Sequence, residues 1–335
     1  MKPILISGVQ PTGKLHIGNY FGALKNFVDL QNTGRYQCYF FVADLHSLAG
    51  DFDPSQKYKQ IIDVILNFMA AGLKPEKSVL FVQSQIFEHS ELAWILNTVT
   101  PFGELRRMTQ FKDKAAHQKE NVNAGLFNYP VLQAADILLY DAEIVPVGED
   151  QIQHLEFTRE IARKFNDKYP PANKHGKKTF VEPKSLLTEF PRLMSLNNPS
   201  KKMSKSIPEG CLFLDDTADE IMTKIKKAVT DSGSEVKYDL ENKPAVSNLI
   251  AIYKGFSGLS TKEVEKKFKD IGYGQFKKDL AKVIIEGLRP FRAKKRILSK
   301  SAGKIEKIIE KGNKKARKRA NLKMKQVKKI IGLSK

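Results

Sequence analysis

The chain has 335 residues, 41% of them hydrophobic, which is enough for about two domains of 100–200 residues and excludes a disordered or fibrous protein. Its formal net charge is +20, and the 18 basic and 2 acidic residues between positions 292 and 335 contribute +16 of it. The body is therefore close to neutral, while the C-terminal segment is strongly basic. Such a segment favours a polyanionic partner, namely RNA, DNA or a lipid surface, and a role in solubility alone is the competing explanation.

Cysteine content and hydropathy restrict the setting in which the chain works. Two cysteines, Cys38 and Cys211, are too few for a disulfide framework or a four-thiolate zinc site, and no resident metal is expected. The apolar run after Met1 is too short for a secretory signal, and no stretch approaches the roughly 18 apolar residues of a membrane span. We expect a cytoplasmic protein without a membrane partner.

Short apolar runs alternate with amphipathic segments through the first two hundred residues, which is typical of a parallel sheet with crossover helices. Strands are predicted at residues 4–9, 38–43, 78–82 and 143–147. Helices are predicted at residues 20–31, 56–71, 90–99, 131–140 and 151–165. We expect residues 1–206 to form an α/β domain with a Rossmann-like doubly wound parallel sheet, interrupted by an insertion at about residues 101–128.

The rest of the chain has a different pattern. Residues 166–191 are rich in proline and lysine and are predicted to be a surface excursion. After Ser206 only helices are predicted, at residues 218–229, 244–256, 261–269 and 275–288. The basic tail is also predicted to be a helix that docks by its apolar face, because apolar residues recur at helical spacing: Ile305, Ile308, Ile309, Ala316, Ala320, Met324, Val327 and Ile331. Residues 207–335 are therefore expected to form a second, helical domain.

The first predicted strand leads into a glycine-containing loop, GVQPTGKL, at residues 8–15. This loop fits the phosphate-binding pattern of NTPases except at Leu15, which lacks the hydroxyl that binds Mg²⁺, so an NTPase loop is disfavoured. The next residues, 16–19, begin a helix. There His16, Gly18 and Asn19 can converge with the positive end of the helix dipole on an anion. The alternative is a plain strand-to-helix turn with a surface histidine.

A second motif, KMSKS at residues 202–206, places two ammonium groups and two hydroxyls on a loop after the sheet-forming half. Together with residues 16–19 it resembles the HIGH and KMSKS signatures of class I aminoacyl-tRNA synthetases, with Asn19 replacing the last His. Five further blocks are similar, in order, to bacterial-type tryptophanyl-tRNA synthetases: SGVQPTGKLHIGNYFGA (7–23), GELRRMTQFKDK (103–114), YPVLQAADILLY (129–140), VPVGEDQIQH (145–154) and AVTDS (228–232).

The resemblance implies a two-step reaction: L-tryptophan is activated with MgATP, and the tryptophanyl group then passes to the terminal ribose of tRNA(Trp). The attacking carboxylate is ionised near pH 7, so activation needs positioning and charge stabilisation rather than a general base. The implied catalytic residues are His16, Asn19, Lys202 and Lys205. The implied ATP contacts are Gln10, Pro11, Thr12, Gly18, Asn19, Gly148, Glu149, Asp150, Leu193, Lys202, Met203, Ser204, Lys205 and Ser206, with Lys112 and Lys114 as further phosphate contacts.

Indole carries one N–H donor and no acceptor, so its pocket requires an acceptor in an otherwise apolar slot. Asp136 matches the family's aspartate in this role, and a structural cap or ion pair is the alternative. The resemblance also implies that Tyr129 and Gln151 meet the substrate amino group. The remaining implied lining residues are His46, Gly8, Ile6, Gln133, Val145 and Val147. Of these, Ile6 and Gln133 stand where the best-known members have Phe and Met, and Gln133 adds a polar group beside the indole.

The remaining single residues are not expected to act in catalysis. His89, His117 and His154 lie in polar sequence, and Trp94 lies among apolar residues and is predicted to be a core residue. The resemblance further implies a homodimer and a helical domain that binds the tRNA anticodon.

Three rival hypotheses stay open at this point: a tyrosyl-tRNA synthetase, a small-molecule nucleotidyltransferase and a non-catalytic RNA-binding protein. Pyrophosphate exchange driven by a panel of amino acids separates all three from a tryptophanyl enzyme.

Overall fold

Five strands form the sheet: β1 (Ile4–Val9), β2 (Gln37–Val42), β3 (Ser78–Val82), β4 (Ile144–Val147) and β5 (Lys184–Leu187). The computed structural model describes residues 2–108, 122–171, 176–187, 190–205 and 207–335. All pairings are parallel, in the order β3-β2-β1-β4-β5. Because the order reverses at β1, the sheet is doubly wound, and the predicted α/β fold class is confirmed. Such a reversal opens a crevice at the carboxyl ends of β1 and β4, where ligands of this fold class bind.

Helices cover both faces of this sheet. A continuous helical run after β1 consists of α1 (Ile17–Asn19), a π-helical turn (Tyr20–Leu24) and α2 (Lys25–Asn32). The other helices of this part are α3 (Pro54–Ala71), α4 (Glu88–Asn97), α5 (Phe102–Arg107), α6 (Ala124–Leu138) and α7 (Ile152–Lys168). Alternate strand residues point to opposite faces, so Leu5 joins the core on one side of the sheet while Ile4 and Ile6 join the core on the other.

The C-terminal part of the chain is helical, and no strand follows Leu187 among the residues described. Its helices are α8 (Ala218–Lys227), α9 (Pro244–Ser257), α10 (Thr261–Lys267), α11 (Tyr273–Ser299) and α12 (Ala302–Ile330). Capping boxes begin α8 at Thr217 and α10 at Ser260. The long α11 packs against α8, α9 and α3, so this part shares a hydrophobic core with one face of the sheet.

The basic tail docks as a helix, as its apolar spacing predicts, and it lies along strand β3 and helix α4. The approach to β3 is close at Gly312, where an added Cβ would sit 1.7 Å from the carbonyl oxygen of Leu80. Next to it, Asn313 Oδ1 accepts a hydrogen bond from the backbone N–H of Val82 at 3.0 Å. The helix therefore covers the outer edge of β3 and satisfies a backbone donor there.

Helix α12 also forms hydrogen bonds and an ion pair with the turn that follows α6. Arg319 Nε donates to the carbonyl of Tyr140 at 2.7 Å, and buried Lys323 lies 2.5 Å from the carboxylate of Asp141. Asp141 has a positive φ of 52°, a conformation that Asp tolerates better than most residues. The C-terminal helix thus anchors the end of α6, which carries Asp136.

Three local predictions were wrong. Strand β5 lies inside the segment predicted to be a surface excursion; its residues are mostly exposed, and it pairs with β4. Helix α6 begins at Ala124 and not at residue 131, because Asn123 caps it and Pro130 is accommodated inside it. Trp94 is 73% exposed and points away from the core that its neighbours Leu92, Ile95 and Leu96 enter.

Both cysteines are buried thiols. None of the helices within the described parts of the chain combines the length and the apolar character that crossing a bilayer requires.

Candidate active site

A cavity of about 1260 Å³ lies at the carboxyl ends of β1 and β4, where the strand order reverses. It brings together all but four of the predicted site residues: Ile6, Gly8, Gln10, Thr12, His16, Gly18, Asn19, His46, Tyr129, Gln133, Asp136, Val145, Val147, Gly148, Glu149, Asp150, Gln151, Leu193, Lys202, Met203, Ser204 and Lys205. Pro11 is buried and does not line the cavity. Ser206 lies outside the described residues, as do Lys112, Lys114 and His117.

His16 is fixed by the start of the helix that follows β1. Its Nδ1 accepts a hydrogen bond from the backbone N–H of Gly18 at 3.1 Å, and Asn19 Oδ1 accepts from the backbone N–H of His16 at 3.1 Å. A Cβ on Gly18 would lie 2.9 Å from the His16 ring, so glycine is required for the imidazole to fold over the helix start. The arrangement leaves Nε2–H of His16 and the NH₂ group of Asn19 as the donors available to a ligand.

His16 is uncharged at neutral pH. Burial lowers its pKa to about 4, and the positive charges of Lys205 and Lys202 act in the same direction. The side chain therefore offers a neutral hydrogen-bond donor beside two cationic ones.

The KMSKS loop closes over this first loop. Lys205 Nζ donates to Thr12 Oγ1 at 3.1 Å and approaches the carbonyl of Gly13 at 3.4 Å. Burial lowers the pKa of Lys205 to about 8. On the other side of the loop, Met203 N–H donates to the carbonyl of Leu193 at 3.0 Å, which fixes the backbone next to Lys202. Two loops that are far apart in sequence thus meet at one end of the cavity, where the lysines of the second loop lie near the neutral His16 of the first.

Helix α6 presents one face to the opposite end of the cavity. Tyr129, Gln133, Asp136 and Ile137 recur at helical spacing and all line it, so the polar Gln133 lies beside the slot. Asp136 is 2% exposed. Its Oδ2 accepts from His46 Nε2 at 2.7 Å. Burial on its own raises the pKa of Asp136, but the contacts with His46 and His89 outweigh burial and hold the pKa below its usual value.

The residues predicted to meet an amino group also line the cavity. The hydroxyl of Tyr129 is 2.9 Å from His154 Nε2, and burial raises its pKa. Gln151 Nε2 donates to Asp150 Oδ2 at 2.9 Å. Burial alone would raise the pKa of Asp150, but this hydrogen bond and the charge of Lys202 lower it. A carboxylate and a neutral carboxamide are thereby placed together at the cavity wall.

Sequence reasoning missed several residues of the site. Arg192 adds a cation to the cavity lining, and Phe27, Phe41 and Phe190 add aromatic walls. Gln83 and His89 contact Asp136 from outside the cavity. No local pattern distinguishes His89 from a solvent-facing histidine, because its partner is 47 residues away. Phe27 and Phe41 follow helix and strand periodicity and carry no separate signal, and Phe190 lies in no strand or helix.

Comparisons with known proteins agree with one another. The sequence matches the family model described as tRNA synthetases class I (W and Y) over residues 1–289. The tryptophan–tRNA ligase of Caldanaerobacter subterraneus subsp. tengcongensis is 48% identical over 332 residues, which cover 98% of each chain. The tryptophan–tRNA ligase of Rickettsia conorii is 48% identical over 335 residues, covering 99% of each.

Solved structures show the same similarity. Tryptophanyl-tRNA synthetase from Mycoplasma pneumoniae superposes with a TM-score of 0.89 at 32% identity, covering 100% of this chain and 99% of that one. The Campylobacter jejuni tryptophanyl-tRNA synthetase, solved in complex with ADP and tryptophan, gives a TM-score of 0.81 at 36% identity, covering 98% and 99%. A tyrosyl-tRNA synthetase from Aeropyrum pernix, at 22% identity and a TM-score of 0.67, shares the fold.

Proposed function

Because the chain belongs to the class I tRNA synthetases of the tryptophan and tyrosine family, we propose that it is a tryptophan–tRNA ligase that attaches L-tryptophan to tRNA(Trp) with ATP. The assignment of tryptophan as the amino-acid substrate rests on one observation. Asp136 is a buried acceptor, lowered in pKa, at the apolar end of the cavity whose other end holds the two signature loops. Indole N–H is a donor without an acceptor, so it matches this slot.

In the first step, a carboxylate oxygen of tryptophan attacks the α-phosphorus of ATP. The bond from that phosphorus to the bridging oxygen breaks, and pyrophosphate leaves. Negative charge on the phosphates is stabilised by Lys202, Lys205 and the Nε2–H of neutral His16, with the NH₂ group of Asn19 as a further donor. Lys205 leaves Thr12 for the phosphates when ATP binds, which raises its pKa and keeps it charged. Mg²⁺ enters as part of the MgATP substrate.

The other residues at the phosphate-binding end of the cavity are assigned to nucleotide recognition. The proposed contacts besides the signature residues are Gln10, Thr12, Gly148, Glu149, Asp150 and Leu193, with Pro11 and Ser206 from the two loops. Arg192 lines the same cavity. Its charge makes it a further candidate for the phosphates.

At the amino-acid end, we assign the substrate ammonium group to Tyr129 and Gln151. The local negative charge supports this assignment of the ammonium group, because Gln151 is hydrogen-bonded to Asp150, whose carboxylate is negative at neutral pH. The slot for the ring has walls of Ile6, Val145 and Val147, with His46, Gly8 and Gln133 around it. A phenol in this slot would bring an oxygen that also accepts, and the donor from His46 is already committed to Asp136.

In the second step, a hydroxyl of the terminal ribose of tRNA attacks the carbonyl carbon of the adenylate, and AMP leaves. We assign tRNA binding to residues 207–335, with the anticodon on the helices after the KMSKS loop. Exposed lysines of α12 supply a positive surface that fits a phosphate backbone. We propose a cytoplasmic location, because protein synthesis there consumes charged tRNA.

We further propose that two copies of the chain associate through the outer face of α4. Phe87, which directly precedes α4, and Trp94 within it are 62% and 73% exposed, and Phe102 at the start of α5 is 68% exposed. Exposed aromatic side chains in such a group are typical of a protein interface. The tRNA then lies across both subunits.

Pyrophosphate exchange with radiolabelled pyrophosphate and each of the twenty amino acids tests the proposal. Tryptophan should drive the exchange, and tyrosine and phenylalanine should be at least about 10⁴-fold weaker in kcat/KM, because they leave the buried acceptor unpaired or misplaced. Comparable values for tyrosine would assign the chain to the tyrosine branch of the family. No exchange with any amino acid would overturn the proposed activity.

A further inference from the structure

Asp136 is held from behind by a buried hydrogen-bonded network. Gln83, His89 and Tyr140 are each 0% exposed. Gln83 Nε2 donates to Asp136 Oδ1 at 2.7 Å, and His89 Nδ1 lies 2.6 Å from the same oxygen. On the far side of the ring, His89 Nε2 lies 2.8 Å from the hydroxyl of Tyr140. Only Asp136 of these four residues lines the cavity, so the other three act on a ligand through it.

The direction of each hydrogen bond follows from the chemistry of the groups. A carboxylate only accepts, so His89 Nδ1 carries a proton and donates to Asp136. Burial raises the pKa of Tyr140 well above its ordinary value, so its hydroxyl keeps a proton to donate to Nε2. An uncharged imidazole satisfies both contacts, with Tyr140 selecting the tautomer that places the proton toward Asp136.

The network occupies most of the acceptor positions of the Asp136 carboxylate. Two oxygens offer about four lone-pair positions in all. Gln83 and His89 fill both positions on Oδ1, and His46 fills one on Oδ2. A single acceptor position remains, on the oxygen that His46 approaches from the cavity side. An indole has one N–H donor, which matches the one acceptor position that remains.

We propose that His89 is a positioning residue for amino-acid selection: with Gln83 it saturates Oδ1 of Asp136, so that one acceptor position on Oδ2 faces the indole N–H. Tyr140 sets the tautomer of His89 that makes this possible. The inference rests on the proposed function, since it concerns the slot of that enzyme. A purely structural network would stabilise the fold without any preference for a substrate N–H.

The test uses a substrate pair that differs at one atom. In β-(benzothiophen-3-yl)alanine a sulfur replaces the indole N–H, so it occupies the slot without donating to Asp136. The ratio of kcat/KM for tryptophan to that for the analogue is measured by pyrophosphate exchange, and its change from wild type to variant reports on the N–H contact, because the other differences between the two rings are common to every variant. The variants are His89→Leu, His89→Asn and His89→Gln. Asparagine can place its NH₂ group near the position of Nδ1, whereas glutamine places it near Nε2, on the side of Tyr140.

Loss of a hydrogen bond to a charged group reduces affinity by about 10- to 100-fold, so the ratio should fall by that factor in His89→Leu and His89→Gln. The ratio should stay within about threefold of wild type in His89→Asn, which keeps the donor. Tyr140→Phe should lower the ratio less, because it frees the tautomer without removing the donor. If His89→Leu does not fold, the Asn and Gln variants, which differ little in volume, carry the test by themselves.

Phe165→Leu is the matched control, because Phe165 is fully buried in the same core and packs on Tyr169 and Phe180, away from Asp136. It should lower the thermal midpoint and leave the ratio unchanged. Equal losses for both substrates in every His89 variant, or equal ratios in His89→Asn and His89→Gln, overturn the inference. Failure of the wild-type chain to exchange with tryptophan would instead count against the proposed function.

Discussion

Single residues of the phosphate end differ in protonation, and this difference sets the chemistry they supply. His16, with a pKa of about 4, is a neutral donor throughout the physiological range. Lys205, with a pKa of about 8, is a cation that loses its charge at mildly alkaline pH. Both shifts come mainly from burial, which disfavours the charged form. The titration of Lys205 in the free enzyme should therefore affect the capture of ATP.

This predicts the pH profile of kcat/KM for ATP, which reports groups of the free enzyme. Activity should be flat between about pH 6 and 7.5 and fall as the pH rises through about 8, because Lys205 loses its proton. No limb from His16 should appear near neutrality, since the imidazole is already neutral there. Lys205→Arg should move the basic limb to higher pH, because guanidinium keeps its charge. A limb that stays in place in Lys205→Arg contradicts the assignment.

Substitutions at the two ends of the cavity should affect different kinetic constants. Asp136→Asn weakens the acceptor for the indole N–H in ground and transition states alike, so the KM for tryptophan should rise about 10- to 100-fold with little change in the KM for ATP. Lys205→Ala removes charge stabilisation from the phosphates, so kcat should fall about 10²–10³-fold. The measurement is exchange at varied tryptophan and varied ATP. A Lys205→Ala enzyme with an intact kcat and a raised KM for tryptophan would reverse these roles.

Among the elements, α12 has two functions that its sequence combines on opposite faces. Arg317 and Arg319 hold carbonyls of Gln85 and Tyr140, so these two cations are committed to docking. Lys311, Lys314, Lys315 and Lys318 are exposed. Exposed lysines such as these, and not the two docked arginines, are free to meet a polyanion, which narrows the tRNA contacts expected from the tail's charge.

We predict that changing Lys311, Lys314, Lys315 and Lys318 to Gln weakens tRNA binding and flattens its dependence on salt. Removing one lysine–phosphate ion pair should reduce the slope of log K against log salt by roughly 0.7–0.9. Tryptophan-driven pyrophosphate exchange should stay constant. The matched control replaces the same four lysines by Arg and should preserve the slope. A slope that is unchanged in the Gln variant would assign this charge to solubility and leave tRNA binding to α8–α11.

Some elements could be predicted from the sequence and others could not, and the two groups are stabilised by different interactions. Apolar runs such as that of β1 specify buried strands locally, and the four strands predicted agree with the structure to within about one residue. By contrast, β5 has exposed residues and depends on pairing with β4, which no local pattern reveals. The two signature loops were readable as motifs, whereas the contact between His89 and Asp136 joins α4 to α6 and has no local signal.

Across the whole molecule, the exposed face of α4 is the feature that most needs a partner. Trp94→Glu should convert a dimer to a monomer, because it places a charge in the proposed aromatic interface. Sedimentation velocity at several concentrations measures this directly. Leu240→Glu is the matched control, since Leu240 is 65% exposed and lies in the C-terminal part of the chain, which is helical. A Trp94→Glu chain that still sediments as a dimer would remove α4 from the interface.

The cover on β3 has a consequence for synthesis on the ribosome. The backbone N–H of Val82 finds its partner in Asn313, 231 residues later. At translation rates of about 5–20 residues per second, the nascent sheet presents a bare parallel edge for roughly 12–46 s before α12 emerges. During that interval the edge can recruit a strand from a neighbouring nascent chain on the same messenger, so expression of this protein should depend on ribosome-associated chaperones. Ribosome profiling of chaperone occupancy should show engagement from the emergence of β3 that ends once α12 has cleared the exit tunnel.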